Sequence, residues 1–394
     1  MDIETLAGKI HSCVDAEREA MFALLEDLVN RDSGSNDIED VNRLGDFLAS
    51  YLETTGCTVI RYIRQGAGFP LSGLWLPPGT GQHDRRVLLV GHRDTVFPSG
   101  TAATRPYTSD GVNAYGPGVS DMKGGIVAGL FALKAVKAAQ EITGPVAVEI
   151  LLTSDEEIGS PVSGQVIAER CKTAKAAFFL EPARENGQLV IGRDGGDLLQ
   201  VSVHGKSAHA GNNFAAGISA INELAGIIAD FASLSRDSEG YSVNVGVVGG
   251  GSGPIIVADY AWGKLYTRFA SVEQRNHLLR EMRAVVARRN RNGLRAELSE
   301  PVGFLPFLVN EANTELFRLV KEAGAAYGVE LEGVVTKGAA DAGIASSCGV
   351  PTLCGMGPVG GKLHTDEEYM VKDSLPERTK VLALAIAMAA DRCV

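Results

Sequence analysis

The stretch at residues 87–96 constrains the fold of this chain most. Residues 87–90 read Val-Leu-Leu-Val and are followed by Gly91, a pattern typical of a strand buried on both faces of a parallel sheet. Such a strand delivers the next residues of the chain to the carboxyl edge of the sheet, where open α/β folds bind ligands. His92 and Asp94 come next, and residues two apart share one side of a strand. Asp94 can therefore orient the ring of His92, although a structural histidine explains this pattern alone equally well.

Further segments place titratable groups after an apolar run or in a glycine-rich loop. The groups are Asp121 in the loop 116–125, Glu156 and Glu157 after the run 146–152, Glu181 after the run 176–180, and His364 after the run 351–357. Because the strand ends of one sheet lie close together, these groups should converge. Two imidazoles and several carboxylates, without cysteine, are the ligand set of a hydrolytic zinc or manganese site. Taken alone, the Glu156 and Glu157 pair would indicate a solvated acidic turn.

These segments together resemble the co-catalytic metallopeptidases that include aminoacylase, succinyl-diaminopimelate desuccinylase and glutamate carboxypeptidase. The matching blocks, in family order, are Gly-His-x-Asp-Thr-Val, Gly-x-x-Asp-Met-Lys-Gly-Gly, Asp-Glu-Glu-x-Gly-Ser, Glu-Pro and a late His. They extend from about residue 20 to the end of the chain. The resemblance implies an α/β fold, with a catalytic domain built on a mainly parallel mixed sheet that has helices on both faces.

The resemblance also implies a role for each group at the sheet edge. Two divalent metal ions would be bound, zinc first, with manganese or cobalt as alternatives. The metal ligands would be His92 and Glu181 on one ion, Glu157 and His364 on the other, and Asp121 bridging the two. Glu156 would be the general base, and Asp94 would fix the tautomer of His92. A carboxylate beside a metal-activated water is what amide hydrolysis near neutral pH requires.

The segment between Glu181 and His364 indicates an inserted domain. Its predicted elements are strands at 198–204, 242–247, 255–269 and 295–298 and helices at 216–231 and 272–289. This order predicts a small α+β unit with a four-stranded antiparallel sheet and two helices. The resemblance implies the same, a lid and dimerisation domain at 193–303, with the catalytic domain comprising 1–192 and 304–394. The active form would be a homodimer through the insertion.

The insertion and a late loop supply candidate substrate-side residues. By resemblance, His209 in Lys-Ser-Ala-His-Ala-Gly polarises the scissile carbonyl in a neighbouring subunit's site. Arg268 aligns with a family arginine that binds a substrate carboxylate, and Asn244 could donate to the same group. Gly360 and Gly361 offer backbone N–H groups near the pocket. The alternatives are a structural histidine, a surface arginine and ordinary turns.

The resemblance narrows the substrate class through Glu181. Family members acting on N-acylated amino acids or a C-terminal residue tend to carry Glu there, whereas aminopeptidases and dipeptidases tend to carry Asp. We therefore expect a small substrate with a free carboxylate, cleaved at the adjacent amide bond. The lid departs from the family pattern, with Pro-Ile-Ile-Val at 254–257 and Tyr-Thr-Arg at 266–268. Two alternatives stay open: hydrolysis of a non-peptide C–N bond (aromatic amine deaminase or ureido hydrolase), and a catalytically silent binding protein.

Composition bounds the remaining classes of function. A chain of 394 residues exceeds what one core usually supports, so at least two domains are expected. The net charge of −11 argues against nucleic acid as a partner. No apolar run reaches membrane-spanning length, and the acidic start lacks the pattern of a secretory signal. The cysteines contain no C-x-x-C pair and are typical of free thiols. We expect a cytoplasmic enzyme without membrane partners.

Overall fold

A computed structural model describes residues 2–81, 86–291 and 293–392 of the chain. They form two compact units. The first comprises Met1–Gly192, Phe307–Thr336 and Ala340–Val394, and the second comprises Arg193–Pro306 and Lys337–Ala339. The second unit thus interrupts the chain between the segments that carry Glu181 and His364.

The described residues form helices and strands with the following bounds. The helices are α1 (Ile3–Ala16), α2 (Arg18–Val29), α3 (Ile38–Thr54), α4 (Thr101–Thr104), α5 (Gly125–Ala138), α6 (Gln140–Thr143), α7 (Ser163–Cys171), α8 (Ala220–Ser233), α9 (Val272–Arg289), α10 (Glu311–Ala325), α11 (Ala342–Ser347) and α12 (Ser374–Arg392). The strands are β1 (Thr58–Arg61), β2 (Leu71–Trp75), β3 (Arg86–His92), β4 (Thr108–Ser109), β5 (Asn113–Tyr115), β6 (Val148–Thr153), β7 (Ala174–Phe179), β8 (Leu189–Arg193), β9 (Gly195–His204), β10 (Ser242–Gly250), β11 (Tyr260–Phe269), β12 (Arg295–Leu298), β13 (Val302–Phe304), β14 (Gly333–Thr336), β15 (Thr352–Leu353), β16 (Gly360–Gly361) and β17 (Tyr369–Val371).

The first unit is built on a six-stranded mixed sheet in the order β1-β2-β6-β3-β7-β15. Strand β3 runs parallel to both of its neighbours, β6 and β7, and β15 runs parallel to β7. The antiparallel strands β1 and β2 complete the other edge. The carboxyl ends of β6, β3 and β7 therefore meet at one edge of the sheet, as the sequence predicts.

Both faces of this sheet are buried, which explains why its central strands are continuously apolar. Val87 and Leu89 of β3 pack into a core shared with α5 and α12. Their neighbours Leu88 and Val90 point to the opposite face and pack with α7 and α11. The predicted mainly parallel mixed sheet with helices on both faces is confirmed.

The second unit is an antiparallel sheet in the order β10-β11-β9-β12, and β13 also pairs with β9. Helices α8 and α9 contribute Ile227, Phe231, Met282 and Val285 to a separate core under this sheet. The chain order β-α-β-β-α-β matches the prediction, and the short strand β13 adds a fifth strand at its end. This unit is small and has its own apolar core.

Several predicted boundaries in the second unit are wrong: β9 begins at Gly195 and not at 198, β10 ends at Gly250 and not at 247, and two further elements begin later than predicted. The strand predicted at 255–269 begins only at Tyr260, because Ile256 instead forms an antiparallel bridge with His209. The helix predicted at 216–231 is Ala220–Ser233, because the side chain of Ser219 accepts the N–H of Asn222 and caps the helix there. β-branched and helix-favouring residues extend past both true boundaries, and local pairing decides where the elements begin.

Within the described ranges, no helix is both long and apolar enough to cross a membrane. Among the described residues, the cysteines at 13, 57, 171 and 348 are free thiols, as predicted, whereas Cys393 lies outside the described residues. The cytoplasmic location stays a prediction.

Candidate active site

The candidate site lies at the carboxyl edge of the central sheet, where separate elements each supply side chains. His92 is the last residue of β3, and Asp121 lies at a non-helical kink in the segment Val119–Gly124. Glu156 and Glu157 open the 3-10 turn Glu156–Ile158 after β6, Glu181 follows β7, and His364 lies between β16 and β17. Loops after adjacent parallel strands share one edge, so the fold brings these distant parts of the sequence together.

Asp121 lies at the centre of the cluster. Its Oδ1 is 3.1 Å from Nε2 of His92, and the same nitrogen is 3.8 Å from Oε1 of Glu181. Its Oδ2 is 3.2 Å from Nε2 of His364, which is also 3.2 Å from Oε2 of Glu157. The two carboxylate oxygens of Asp121 thus face two different groups of side chains. The family resemblance implies that Asp121 bridges two metal ions, and that role stays a prediction.

The ring of His92 is held by the backbone. Its Nδ1 is 2.9 Å from the carbonyl oxygen of Asp94 and 3.7 Å from the carboxylate Oδ1 of the same residue. Because a carbonyl only accepts, Nδ1 carries the proton and donates it. Once a metal ion displaces the second proton, the lone pair of the ring lies on Nε2, which faces Asp121 and Glu181, and this is the tautomer that a metal ligand needs.

The carboxylate of Asp94 instead holds the backbone of the glutamate turn. It is fully buried and accepts hydrogen bonds from the N–H groups of Glu156 and Glu157, both at 3.2 Å. It also accepts the hydroxyl of Ser35 at 2.7 Å. Asp94 therefore contacts His92 through its carbonyl and the two glutamates through its side chain. The sequence predicts that the carboxylate of Asp94 orients His92, but the contact within hydrogen-bond distance comes from its carbonyl, because the carboxylate binds the turn that carries Glu156.

The electrostatics of the cluster fit divalent cations. Burial, followed by neighbouring carboxylates, raises the pKa of Glu156 well above its ordinary value, and burial also raises the pKa of Glu157. Burial opposes charging of His92, but the hydrogen bond to Asp121 and nearby carboxylates raise its pKa well above the ordinary value. Hydrogen bonds to Asp121 and Glu157 raise the pKa of His364 to about 10. More carboxylates than imidazoles crowd this buried volume, and a bound cation would neutralise the excess charge.

The donor atoms also suit a metal ion geometrically. Ligand atoms of His92, Asp121 and Glu157 lie within 4.8 Å of one another. Imidazole nitrogen and carboxylate oxygen without thiolate are ligands for zinc, manganese or cobalt. The residues present therefore fit the group that the sequence implies.

Glu368 is a buried residue beside the predicted ligands, and the sequence analysis did not predict it. It is 1% exposed, and its carboxylate accepts the N–H groups of Gly118, Ser120 and Asp121 at 2.9–3.0 Å. It lies four residues after His364, so it ties the loop of His364 to the loop of Asp121. Its local sequence, Thr-Asp-Glu-Glu, is typical of a solvated turn. No local signal distinguishes Glu368 from its exposed neighbour Glu367.

Gly360 and Gly361 form the short strand β16, which pairs with β17. A Cβ on Gly360 would lie 2.0 Å from the hydroxyl of Ser120 and 2.5 Å from the carbonyl of Tyr369. Glycine is therefore required here by close packing beside the loop of Asp121. That packing explains Gly360 without a ligand, and a substrate contact through either N–H stays a prediction.

The other predicted substrate-side residues lie in the second unit. The guanidinium of Arg268 is paired with Asp194 at 2.6 Å and Asp237 at 2.5 Å. A substrate carboxylate would have to displace one of these two partners, so the predicted binding role stays a prediction. Asn244 is exposed on β10, opposite Tyr266 of β11, and its role is likewise a prediction.

His209 is exposed, and its Nδ1 accepts the N–H groups of Gly211 and Asn212, both at 3.1 Å. Because Nδ1 accepts, the proton of the neutral ring lies on Nε2. The ring is thus held by its own loop, with a donor on the opposite nitrogen.

Comparison with known proteins identifies a family of metal-dependent hydrolases, which agrees with the metal-ligand types at the site. Residues 88–388 match the family described as peptidase family M20/M25/M40. The chain belongs to this family. Members of this family, such as the two curated relatives described next, are metal-dependent hydrolases, and this chain is one as well. The family acts on small peptide or amide substrates.

Two curated relatives cover most of the chain. Carboxypeptidase G2 of Pseudomonas sp. (strain RS-16) is 28% identical over 376 residues, which is 94% of this chain and 89% of the relative. Succinyl-diaminopimelate desuccinylase of Paracidovorax citrulli is 29% identical over 381 residues, 88% of this chain and 92% of the relative.

A solved family M20 metallo-carboxypeptidase from Sulfolobus solfataricus superposes with a TM-score of 0.74 at 18% identity. The superposition covers 94% of this chain and 99% of that chain. At this identity the likeness shows the shared fold of the M20/M25/M40 peptidases.

Proposed function

We propose that this protein hydrolyses an amide bond next to a free carboxylate, as a carboxypeptidase or N-acyl-amino-acid amidohydrolase. The observation that carries the proposal is the placement of Asp121, with one oxygen facing His92 and Glu181 and the other facing Glu157 and His364. The names of the two curated relatives, a carboxypeptidase and a desuccinylase, support an amide substrate.

These five side chains would hold two divalent cations, most simply zinc, with Asp121 shared between them. Two such ions would polarise the scissile carbonyl and lower the pKa of the attacking water. The protein's own part is to hold the ligands in place. Nδ1 of His92 donates to the carbonyl of Asp94, and Glu368 anchors the backbone of Asp121.

Glu156 is the general base of this proposal. Its neighbour Glu157 points to His364, and adjacent side chains leave the backbone in different directions, so the two glutamates divide their tasks. Asp94 holds the N–H groups of both, which fixes where the Glu156 carboxylate is presented. That carboxylate takes a proton from the attacking water and delivers it to the leaving nitrogen, a step that contributes about 10²–10⁴-fold.

His209 supplies a hydrogen bond to the developing oxyanion. Its Nδ1 is occupied by two backbone N–H groups, so Nε2–H is the group that can donate. A donor aimed at the oxygen that gains charge is worth about 10²–10³-fold in kcat. We assign this contact to the site of the other subunit in a homodimer.

Strand β10 supports dimerisation through the second unit. It is the end strand of its sheet, and its residues Val247 and Val248 are 53% and 57% exposed. An apolar end strand pairs readily with a copy of itself across a two-fold axis. We therefore propose an antiparallel β10–β10 contact between subunits.

The test is hydrolysis of matched compounds by protein loaded with zinc, manganese or cobalt. N-Acyl and N-benzoyl amino acids should be cleaved, whereas the same compounds with the carboxylate blocked as an amide should not. Dipeptides with a free amino terminus and N-carbamoyl amino acids complete the set. Cleavage of the blocked compounds at equal rates would contradict the requirement for a carboxylate. Exclusive cleavage of the carbamoyl compounds would replace the proposal by a ureido hydrolase.

A further inference from the structure

We propose that Asp341 is a positioning residue for the turn that carries Glu156 and Glu157. This inference rests on the proposed function, in which those glutamates are base and ligand. Asp341 does not belong to the ligand set, and it lies far from the turn in sequence. Its carboxylate nevertheless contacts hydroxyl groups on both sides of the turn.

The contacts of Asp341 bracket the glutamates. Its Oδ1 accepts the hydroxyl of Ser160 at 2.5 Å, and its Oδ2 accepts the hydroxyl of Thr153 at 3.5 Å. Thr153 is the last residue of β6, and Ser160 follows the 3-10 turn. The two glutamates therefore lie in a short loop whose beginning and end are joined through one carboxylate.

Helix capping does not explain why a buried carboxylate stands at position 341. Asp341 is the residue before α11, where an aspartate side chain commonly caps the helix, but here it makes no capping hydrogen bond. It is 2% exposed and turned instead towards the loop after β6. Burying a carboxylate is unfavourable unless hydrogen bonds compensate. The hydrogen bonds from the two hydroxyl groups therefore offset the cost of burying Asp341.

The backbone at the end of this loop has an unfavourable conformation that surrounding contacts must hold in place. Ser160 has a φ of 52°, in the left-handed region that non-glycine residues rarely adopt, directly after Gly159 at 91°. Residues in this region persist when surrounding contacts hold them. The N–H of Ser160 donates to the carbonyl of Asp155, and its hydroxyl donates to Asp341.

Two carboxylates thus fix the glutamate turn from different sides. Asp94 binds the N–H groups at its start, and Asp341 binds the hydroxyl at its end. A misplacement of about 1 Å in catalytic geometry can cost about 10²-fold in rate. Loss of the Asp341 contact should therefore lower kcat more than it raises KM, because the turn carries the base.

The experiment compares Asp341→Ala, Asp341→Asn and Ser160→Ala with wild type. We expect Asp341→Ala and Ser160→Ala to lower kcat by at least about tenfold with KM changed less than about threefold. Asp341→Asn keeps an acceptor for Ser160 and should restore kcat to within about threefold of wild type. The double variant Asp341→Ala/Ser160→Ala should be no slower than Asp341→Ala, since Asp341→Ala already removes the contact with Ser160.

The second readout is amide hydrogen exchange of residues 154–162 in the metal-free variants, which does not depend on any substrate. Exchange should be faster in Asp341→Ala and unchanged in the control Glu169→Gln, which alters an exposed carboxylate on α7 that pairs with Arg64. Unchanged exchange in Asp341→Ala, or an Asp341→Asn variant as slow as Asp341→Ala, overturns the proposal. If wild type cleaves none of the matched compounds, the proposed function fails while exchange still decides the role of Asp341.

Discussion

At the scale of single residues, neighbouring side chains of one type differ in their contacts and burial. Glu157 lies 3.2 Å from His364, whereas Glu156 has its N–H bound by Asp94 and its carboxylate buried beside the other acidic groups. Likewise, Glu367 pairs with Lys362 at the surface, but Glu368 is buried under the Asp121 loop. In both pairs, direction and burial separate residues that the sequence cannot tell apart.

Glu156→Gln should keep the metals and the fold but lower kcat by at least about 10²-fold, because an amide cannot accept the proton. Glu157→Gln should instead weaken metal binding, because one ligand beside His364 loses its charge. Metal content by elemental analysis and steady-state kinetics on the best substrate separate the two effects. Reversed behaviour of the variants would contradict the division of tasks between these glutamates.

Asp341 should make the stability of the metal-free protein depend on pH. Burial raises the pKa of its carboxyl from 3.8 to about 7, so between these values the folded state keeps a proton that the unfolded state has lost. Its contribution is fully present below pH 4 and is lost as the pH rises towards 7, by at most about 1.4 kcal/mol per pH unit. Urea unfolding of wild type and Asp341→Asn should be measured from pH 4.5 to 8. The free energy of unfolding of the variant should rise relative to that of wild type up to about pH 7. A constant difference would contradict this assignment.

At the scale of elements, the site is made of turns that other parts of the chain hold in place. Glu368, the residue before β17, binds three N–H groups of the segment around Asp121. Asp94, after β3, binds the turn after β6. Lys123 is buried beneath the same segment and donates to the carbonyl of Arg31 at 2.9 Å. The parallel strands bring the turns together, and these buried charged groups fix their orientation.

Glu368→Gln should weaken metal binding by roughly 10–100-fold, the usual cost of losing a group that orients a ligand. A glutamine has only one acceptor oxygen, so its amide N–H₂ would face a backbone N–H of the Asp121 loop. Competition with a fluorescent chelator measures the affinity. Glu367→Gln is the matched control and should bind metal as wild type does, because Glu367 is exposed and pairs with Lys362. Equal metal affinities in wild type and both variants would show that the Asp121 loop keeps its conformation without Glu368.

At the scale of the whole molecule, the chain comprises a catalytic unit and a second unit with separate cores. All proposed metal ligands lie in the first unit, while His209, Asn244 and Arg268 lie in the second. A reaction that needs both sets requires a particular arrangement of units or subunits. The role of the second unit as a lid and dimerisation domain stays a prediction.

Complementation tests the proposed dimer. Chains with His209→Ala and chains with Glu156→Gln should each be nearly inactive. Mixing them under subunit-exchange conditions should restore activity, because the heterodimer contains one site with an intact Glu156 served by an intact His209 from the other chain. Sedimentation of each parent establishes that it is dimeric and folded. No recovery from folded, metal-loaded, exchanging parents would mean that His209 acts within its own chain or has no role in turnover.

The sequence by itself determined the central sheet of the first unit and the types of side chain that collect at its carboxyl edge. Apolar runs that end in His92, before Glu156 and Glu157, and before Glu181 predict adjacent parallel strands, since polar groups after buried strands collect at one edge. Local patterning also predicted the order of elements in the second unit, but it misplaced the starts of α8 and β11, where a serine cap and the Ile256–His209 bridge decide the boundary.

Only the tertiary structure decided which remaining polar residues belong to the site. Glu368 contacts a loop about 250 residues away, and Asp341 reaches Ser160 from 181 residues away. Arg268, predicted to bind a substrate carboxylate, is paired with two carboxylates of its own unit, and its binding role stays a prediction. Burial and long-range hydrogen bonds depend on how the chain folds back on itself. A local pattern reports the period of an element and its capping, but not the partner that a side chain meets across the fold.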